Sequence, residues 1–370
     1  MRPTLAEIDL EAVAHNVAAL AEFAAPAELC AVVKADGYTH GAVPVARAAL
    51  RAGATWLAVA LVDEGLELRA AGIDCPILVL SEPRPHEMGE VAHHGLRPTL
   101  YSGEGLAAMA AAAAQHGSEA LPVHVKVDTG MHRVGIDPSE LLPFVRALHA
   151  KPELFFEGLW THSAVADEPD NEYTAIQLDR FAECVRTLEA ADLRPPMIHA
   201  ANSALTLSKP DAHFDLVRCG IEVYGVPPSD AMPIPIELRP AIKLKSEVSF
   251  AKWVRAGERV SYGLRWEAPE DRWVVTVPIG YADGVQRRSY ECGVEVLIGG
   301  RRRPIVGAVT MDQLMVDCGT DSDITPGAEV VLIGRQGDDE ITPNEIAARL
   351  GTIGYEVICA ISSRVRRHYR

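Results

Sequence analysis

The 370-residue sequence has no apolar run near the roughly 20 residues that a membrane-spanning helix needs. Its opening Met1-Arg2-Pro3 leads into mixed polar sequence rather than a signal peptide. These two absences predict a cytoplasmic protein with no membrane partner. Positive charge is also short: 35 Lys and Arg against 51 Asp and Glu leave a net charge of −16. That balance argues against a nucleic-acid surface, and the basic run Arg301-Arg302-Arg303 reads as a solvated turn. Paired cysteines are missing. The seven present (Cys30, Cys75, Cys184, Cys219, Cys292, Cys318, Cys359) are odd in number, dispersed and without a CxxC, which supports neither a disulfide framework nor a zinc site. His86, His93 and His94 come nearest to a metal cluster but lack a convincing fourth ligand, so no metal is expected.

What the chain does have is a strand-helix rhythm over its first 238 residues. Eight short β-branched or aliphatic runs lie near 29–34, 55–61, 76–80, 96–100, 122–127, 155–161, 196–199 and 214–218, with alanine-rich helical stretches such as Val62 to Ala71 and Gly103 to Ala114 between them. That pattern predicts an α/β fold whose residues 10–238 form a (β/α)₈ TIM-type barrel rather than a doubly wound sheet. After Pro227-Pro228 the pattern changes to short alternating strands with glycine turns, near 273–278, 294–300 and 329–334, so residues 239–370 read as a mostly-β domain. One helix, Thr342 to Leu350, interrupts it, with Pro343 in the first turn and Gly351 just past the end.

A barrel of this kind carries its active site at the C-terminal ends of the strands. The residues there are Lys34 with Tyr38, Lys126 with Asp128 and Arg133, His162, His199 followed by Asn202-Ser203, and Arg218 followed by Gly220-Ile221. A lysine for an imine, a histidine to lie against a ring, hydroxyl and amide donors for a phosphate, and an arginine to face a ring nitrogen together describe pyridoxal phosphate. Each also has a plainer reading: His162 and His199 as core histidines, Arg218 in a structural ion pair, Ser203 as a helix cap.

The stretch Val33-Lys34-Ala35-Asp36-Gly37-Tyr38-Thr39-His40-Gly41 resembles the cofactor-lysine motif of the alanine racemases, and Lys126-Val127-Asp128-Thr129-Gly130-Met131-His132-Arg133 resembles their second signature. Thr161-His162-Ser163-Ala164, Ala201-Asn202-Ser203, Arg218-Cys219-Gly220-Ile221, Val260-Ser261-Tyr262-Gly263, Gly280-Tyr281-Ala282-Asp283-Gly284, Thr310-Met311-Asp312-Gln313 and Gly354-Tyr355-Glu356-Val357 follow in the family's order. The resemblance covers nearly the whole chain. It implies a (β/α)₈ barrel with a C-terminal β domain that also takes in an N-terminal strand, here residues 3–9.

It further implies pyridoxal 5′-phosphate as cofactor, carried as an imine by Lys34, and interconversion of L- and D-alanine by Lys34 and Tyr262 acting on opposite faces of Cα. Tyr38, Asn202, Ser203, Gly220, Ile221 and Tyr355 would hold the cofactor, His162 would lie against it, and Arg218 would face its ring nitrogen. Arg133 would meet both cofactor and substrate carboxylate, with the Met311 amide as second carboxylate donor. Tyr281, Arg287 and Tyr355 would narrow the entry corridor, and Lys126 corresponds to a lysine carbamylated in many members. The family's site is shared between subunits, so a homodimer is implied, and the product would serve peptidoglycan or a peptide natural product.

The sequence departs from the family pattern at four places. Thr39 stands where glycine is usual, His132 where glycine or asparagine is common, Ala308 replaces an arginine, and Val285-Gln286 replaces Tyr-Pro. A residue with a Cβ at position 39 is expected to resist positive φ. Racemisation of serine or a larger amino acid, and decarboxylation on the same barrel, are the alternatives to alanine racemisation.

Overall fold

A first strand, β1 (Leu5–Ile8), is followed by eight more: β2 (Glu28–Val32), β3 (Trp56–Val59), β4 (Ile77–Val79), β5 (Arg97–Leu100), β6 (Leu121–Lys126), β7 (Leu154–Trp160), β8 (Met197–His199) and β9 (Leu216–Cys219). These come from a computed structural model that describes residues 2–117 and 120–370. Strands β2 to β9 pair in parallel in the order β8-β7-β6-β5-β4-β3-β2-β9. The seam between β8 and β9 is bridged by the Arg218 amide, which donates to the carbonyl of Ala201 at 3.0 Å, so the sheet forms a nearly closed barrel. All eight runs expected as barrel strands are strands. Every residue of β3 and β4 is buried, as a parallel strand covered on both faces requires.

Local chemistry sets the helix ends around the barrel. Asp9 caps Leu10–Ala24 by accepting from the Ala12 amide at 2.9 Å, and Ser102 caps Gly103–Gln115 by accepting from Gly105 at 2.9 Å. Small alanine faces let these helices lie close to the strands, where Leu20, Leu29, Leu57, Ile77 and Leu78 are fully buried.

The second half is built on β10 (Ile242–Glu247), β11 (Phe250–Val254), β12 (Arg259–Val260), β13 (Trp266–Glu267), β14 (Arg272–Val277), β15 (Glu295–Ile298), β16 (Arg301–Val306), β17 (Leu314–Gly319), β18 (Glu329–Gln336), β19 (Asp339–Ile341) and β20 (Arg366–Tyr369). Most form one sheet in the order β11-β14-β17-β16-β15-β18-β10-β1-β20, with β19 on β18 and β12 paired with β13 apart. Strand β1 sits inside that sheet, antiparallel to β10 and parallel to β20. Two helices lie here rather than the one expected: Pro343–Leu350, with Thr342 as its cap and Gly351 in the left-handed region at φ +67°, and directly after it Gly354–Cys359.

One reading changes. Arg301-Arg302-Arg303 is no turn but the start of β16, because acids stand ready on its neighbours: Arg302 pairs with Asp339 at 2.9 Å and also with Glu345, and Arg303 pairs with Asp321 at 2.6 Å. Among the described residues there is neither a helix long and apolar enough to cross a membrane nor a metal-binding cluster.

Candidate active site

Lys34 follows β2, and the backbone then reverses its hand. Ala35, Asp36, Gly37, Tyr38 and Thr39 all take positive φ, at 52°, 53°, 59°, 50° and 66°. A left-handed turn costs about 1–2 kcal/mol for each residue with a Cβ, so something must hold it. Glu64 accepts from the Ala35 amide at 2.6 Å while its other oxygen takes the Ala60 amide at 2.8 Å, and Asp36 accepts from the Ala42 amide at 2.9 Å. The Thr39 hydroxyl donates to the Ile358 carbonyl at 2.8 Å. This corrects the expectation for Thr39: it does adopt φ +66°, and its hydroxyl gives a tether to the second domain that glycine could not supply.

The turn leaves Lys34 on the wall of a cavity of about 660 Å³ at the C-terminal end of the barrel, together with Tyr38, Lys126, Arg133, His162, Asn202, Ser203, Arg218, Gly220 and Tyr355. One end is a cradle of small donors. The Ser203 hydroxyl oxygen accepts from the Gly220 amide at 2.9 Å, and a Cβ on Gly220 would come within 2.6 Å of the Tyr38 hydroxyl, so only glycine leaves that space open. The rings of Tyr38 and Tyr355 lie 6.3 Å apart beside it. Ser203 is not the helix cap; Asn202 is, accepting from Leu205 at 3.0 Å, which leaves the serine hydroxyl for the cavity. Ile221 is fully buried at the start of the following turn, Ile221–Tyr224, and does not reach the wall.

Arg218 closes the floor. Its guanidinium donates to the carbonyls of Thr161 at 2.8 Å and Ala200 at 3.1 Å and to Nδ1 of His199 at 2.9 Å, with its carbon 4.7 Å from the Trp160 ring. Below it the barrel interior holds a polar column. His199 Nε2 is 2.9 Å from His124 Nδ1, His124 Nε2 is 3.1 Å from Glu157, and Glu157 accepts from Arg97 at 3.0 Å. Gly158 makes room for it, since a Cβ there would strike the His124 ring. Burial, and next the Arg218 charge, hold His199 and His162 well below the usual histidine pKa, so both are neutral. Arg218 in turn is pulled down to about 10 by its own burial.

Two amines share the cavity with Arg133. Burial, then the Arg133 charge, lowers the Lys34 pKa. Burial, then Arg133 and Arg218, brings Lys126 down to about 7. Lys126 Nζ lies 4.6 Å from the centre of the Trp160 ring. A site that lowers the pKa of two amines beside two guanidiniums is primed for carbonyl and anion chemistry.

Four of the residues singled out in the sequence stand elsewhere. Tyr262 is 71% exposed and Met311 51%, and both lie outside the cavity wall, as do Tyr281 and Arg287. The segments that carry three of them are tied to one stretch, residues 308–311: the Ser261 hydroxyl donates to the Ala308 carbonyl at 2.6 Å, and the amides of Tyr281 and Ala282 donate to the carbonyls of Thr310 and Met311 at 3.0 and 3.1 Å. The departure at Ala308 leaves this intact because only a backbone carbonyl is used. Sequence reading passed over Trp160, Cys359, His124 and Glu157. The last two had a signal, a histidine and a glutamate inside otherwise apolar strands.

Residues 8–228 match the family model of the alanine racemase N-terminal domain, and residues 241–369 that of its C-terminal domain. A relative from Symbiobacterium thermophilum named alanine racemase is 48% identical over 369 residues, which is 100% of this chain and 97% of that one. The crystal structure of alanine racemase from Bacillus anthracis with bound L-Ala-P shares 41% identity at a TM-score of 0.93, covering 100% of this chain and 95% of that one. A histidine racemase from Leuconostoc mesenteroides subsp. sake shares 32% at a TM-score of 0.90, over 100% and 98%. With both domain models matched and relatives similar from end to end, the chain belongs to the alanine racemase family.

Proposed function

We propose that this chain is an alanine racemase that holds pyridoxal 5′-phosphate in the barrel cavity. The observation that carries the reading is Lys34: a part-buried amine of lowered pKa, set on a braced left-handed turn and facing a cradle of hydroxyls and amides across one cavity. The donor set fits the cofactor. Tyr38, Ser203, Gly220 and Tyr355 suit its phosphate, Arg218 its ring nitrogen, and the cavity volume its size. Bound there, pyridoxal phosphate supplies an aldehyde to take up the substrate amine and a ring that acidifies its Cα–H.

Lys34 takes or returns the Cα proton on one face. Its lowered pKa makes the free amine more available than that of a solvated lysine. Racemisation needs a second base on the opposite face, because one group cannot reach both. Tyr262 fills that role for another subunit: it stands exposed and off the wall of its own chain's cavity, next to Ser261, whose hydroxyl ties this segment to the stretch leading to Met311. A homodimer with two shared sites follows, in which Arg133 and the amide of Met311 from the second subunit hold the substrate carboxylate, while Tyr281, Arg287 and Tyr355 frame the entry. Lys126, free of its proton above about pH 7, is chemically able to add carbon dioxide with release of a proton, giving a carbamate that offsets the Arg133 charge.

Arg218 speaks to reaction type. A guanidinium can only donate, so it withholds a proton from the ring nitrogen and favours simple return of the Cα proton over decarboxylation or transamination. D-alanine made in this way would feed cell-wall peptide or peptide natural-product synthesis in the cytoplasm. The reading is tested by giving the cofactor-loaded protein L-alanine, L-serine and L-histidine separately and measuring D-enantiomer and carbon dioxide. Fastest formation of D-alanine supports it. Faster D-serine or D-histidine would move the substrate, and carbon dioxide would overturn the reaction class.

A further inference from the structure

Behind the cradle stands a carboxyl group that the proposed reaction does not use. Glu222, in the turn Ile221–Tyr224 that follows Gly220, is 0% exposed, and both of its carboxyl oxygens lack a hydrogen-bond partner. Burial pushes its pKa up to about 7, opposed by the nearby Ser203 hydroxyl, Cys219 thiol and backbone amides of Glu222 and Gly220, none of which completes a hydrogen bond to it. The groups that face it come from each surrounding segment: Tyr38 from the lysine turn, Ser203 from the helix Ser203–Ser208, Cys219 from β9 and Tyr355 from the helix Gly354–Cys359. None is a cation. On the remaining side, Asn16 of the helix Leu10–Ala24 donates to the Val223 carbonyl at 3.2 Å and brings no charge. Glu222 therefore lies near Tyr38, Ser203 and Tyr355 of the phosphate cradle, and among the described residues that face it there is no cation to neutralise it if it ionises.

We propose that Glu222 is a proton-linked member of the phosphate site: its carboxyl is neutral while a phosphate dianion is bound, and its ionisation draws the Ser203 hydroxyl towards itself and expels the anion. This rests on the reading of the cavity as a pyridoxal-phosphate site. The sign follows from like-charge repulsion. A bound dianion disfavours the carboxylate and raises the Glu222 pKa above its value in the empty site, so binding above about pH 7 takes up a proton. Affinity is then at its full value below pH 7 and falls with rising pH, by up to about tenfold per unit, until the bound-state pKa is reached. The group thereby couples retention of the cofactor to alkalinity without touching the reacting atoms.

The test is titration of the cofactor-free protein with pyridoxal phosphate from pH 6 to 9.5, for the parent and for Glu222→Gln, read by cofactor absorbance and tryptophan quenching. Imine formation on Lys34 has its own pH dependence, but it is common to both proteins and cancels in the ratio of their dissociation constants. That ratio is expected to climb by about tenfold per pH unit above 7, and a flat ratio would overturn the proposal. If Glu222→Gln does not fold, proton uptake by the parent at pH 8 decides, measured calorimetrically in two buffers of different ionisation enthalpy. Pyridoxal phosphate should take up close to one proton more than pyridoxal, which lacks the phosphate, and equal uptake would overturn the proposal. A parent that binds no pyridoxal phosphate at any pH would sink the cofactor reading instead. Inorganic phosphate binding with the same slope would then still support the role of Glu222.

Discussion

Nη1 of Arg218 lies 2.9 Å from Nδ1 of His199, and that contact sets the direction of the hydrogen bonds that run from His199 through His124 to Glu157. A guanidinium has no lone pair to offer, so Nδ1 must accept, which puts the His199 proton on Nε2. His199 then donates to His124 Nδ1, and His124 donates through Nε2 to Glu157, whose carboxylate is anchored by Arg97. The column ends on the one group in it that accepts without donating.

Removing that terminal acceptor should therefore destabilise the barrel. Glu157→Leu leaves His124 Nε2–H without an acceptor and Arg97 with only the Gly95 carbonyl, and is expected to lower unfolding free energy by about 2 kcal/mol, while Glu157→Gln, which still accepts, should cost less than about 1 kcal/mol. Urea unfolding of the two variants measures this, and equal losses would contradict the directional column.

The Thr39 hydroxyl and its left-handed backbone make opposing demands. Thr39→Gly relieves the backbone but loses the bond to Ile358, so its net effect should stay within about 1 kcal/mol; Thr39→Val keeps the strain, loses the bond and should cost more than about 1 kcal/mol. Chemical denaturation ranks the three proteins, and a valine variant as stable as the parent would contradict the tether.

Lys34→Ala should abolish covalent fixation of the cofactor. Borohydride treatment of the loaded parent is expected to add the mass of the reduced cofactor to the peptide containing Lys34, and the variant should show no such increment. An increment at Lys126, the other amine in the cavity, would exchange their roles.

Lys126 is expected to carry a carbamate in a pH-dependent way. Its pKa of about 7 leaves the amine free to react with carbon dioxide at pH 8 and protonated below pH 6. With ¹³C-bicarbonate, a carbamate resonance should appear at pH 8, fade on acidification and be missing from Lys126→Ala.

The fold was legible because periodicity is local. Eight apolar runs at strand length gave the barrel, and Thr342, Pro343 and Gly351 marked one helix end to end. Three kinds of fact were not local. The left-handed run after Lys34 depends on Glu64 reaching back from a different helix. The strand character of Arg301-Arg302-Arg303 depends on acids at Asp321, Asp339 and Glu345. Of the site, the strand-end residues could be picked out by position alone, and the structure gathers most of them around one cavity. Tyr262 and Met311 gave no such positional signal, since their place in the account depends on a second copy of the chain.

That dependence is the claim to test most directly. Lys34→Ala and Tyr262→Phe homodimers should each be nearly inactive towards L-alanine. Dissociating and reassociating an equal mixture should place one intact Lys34 and one intact Tyr262 together in a single site of each mixed dimer, restoring about a quarter of the parent activity if subunits pair at random. A mixture as inactive as its components would contradict a site built from two subunits.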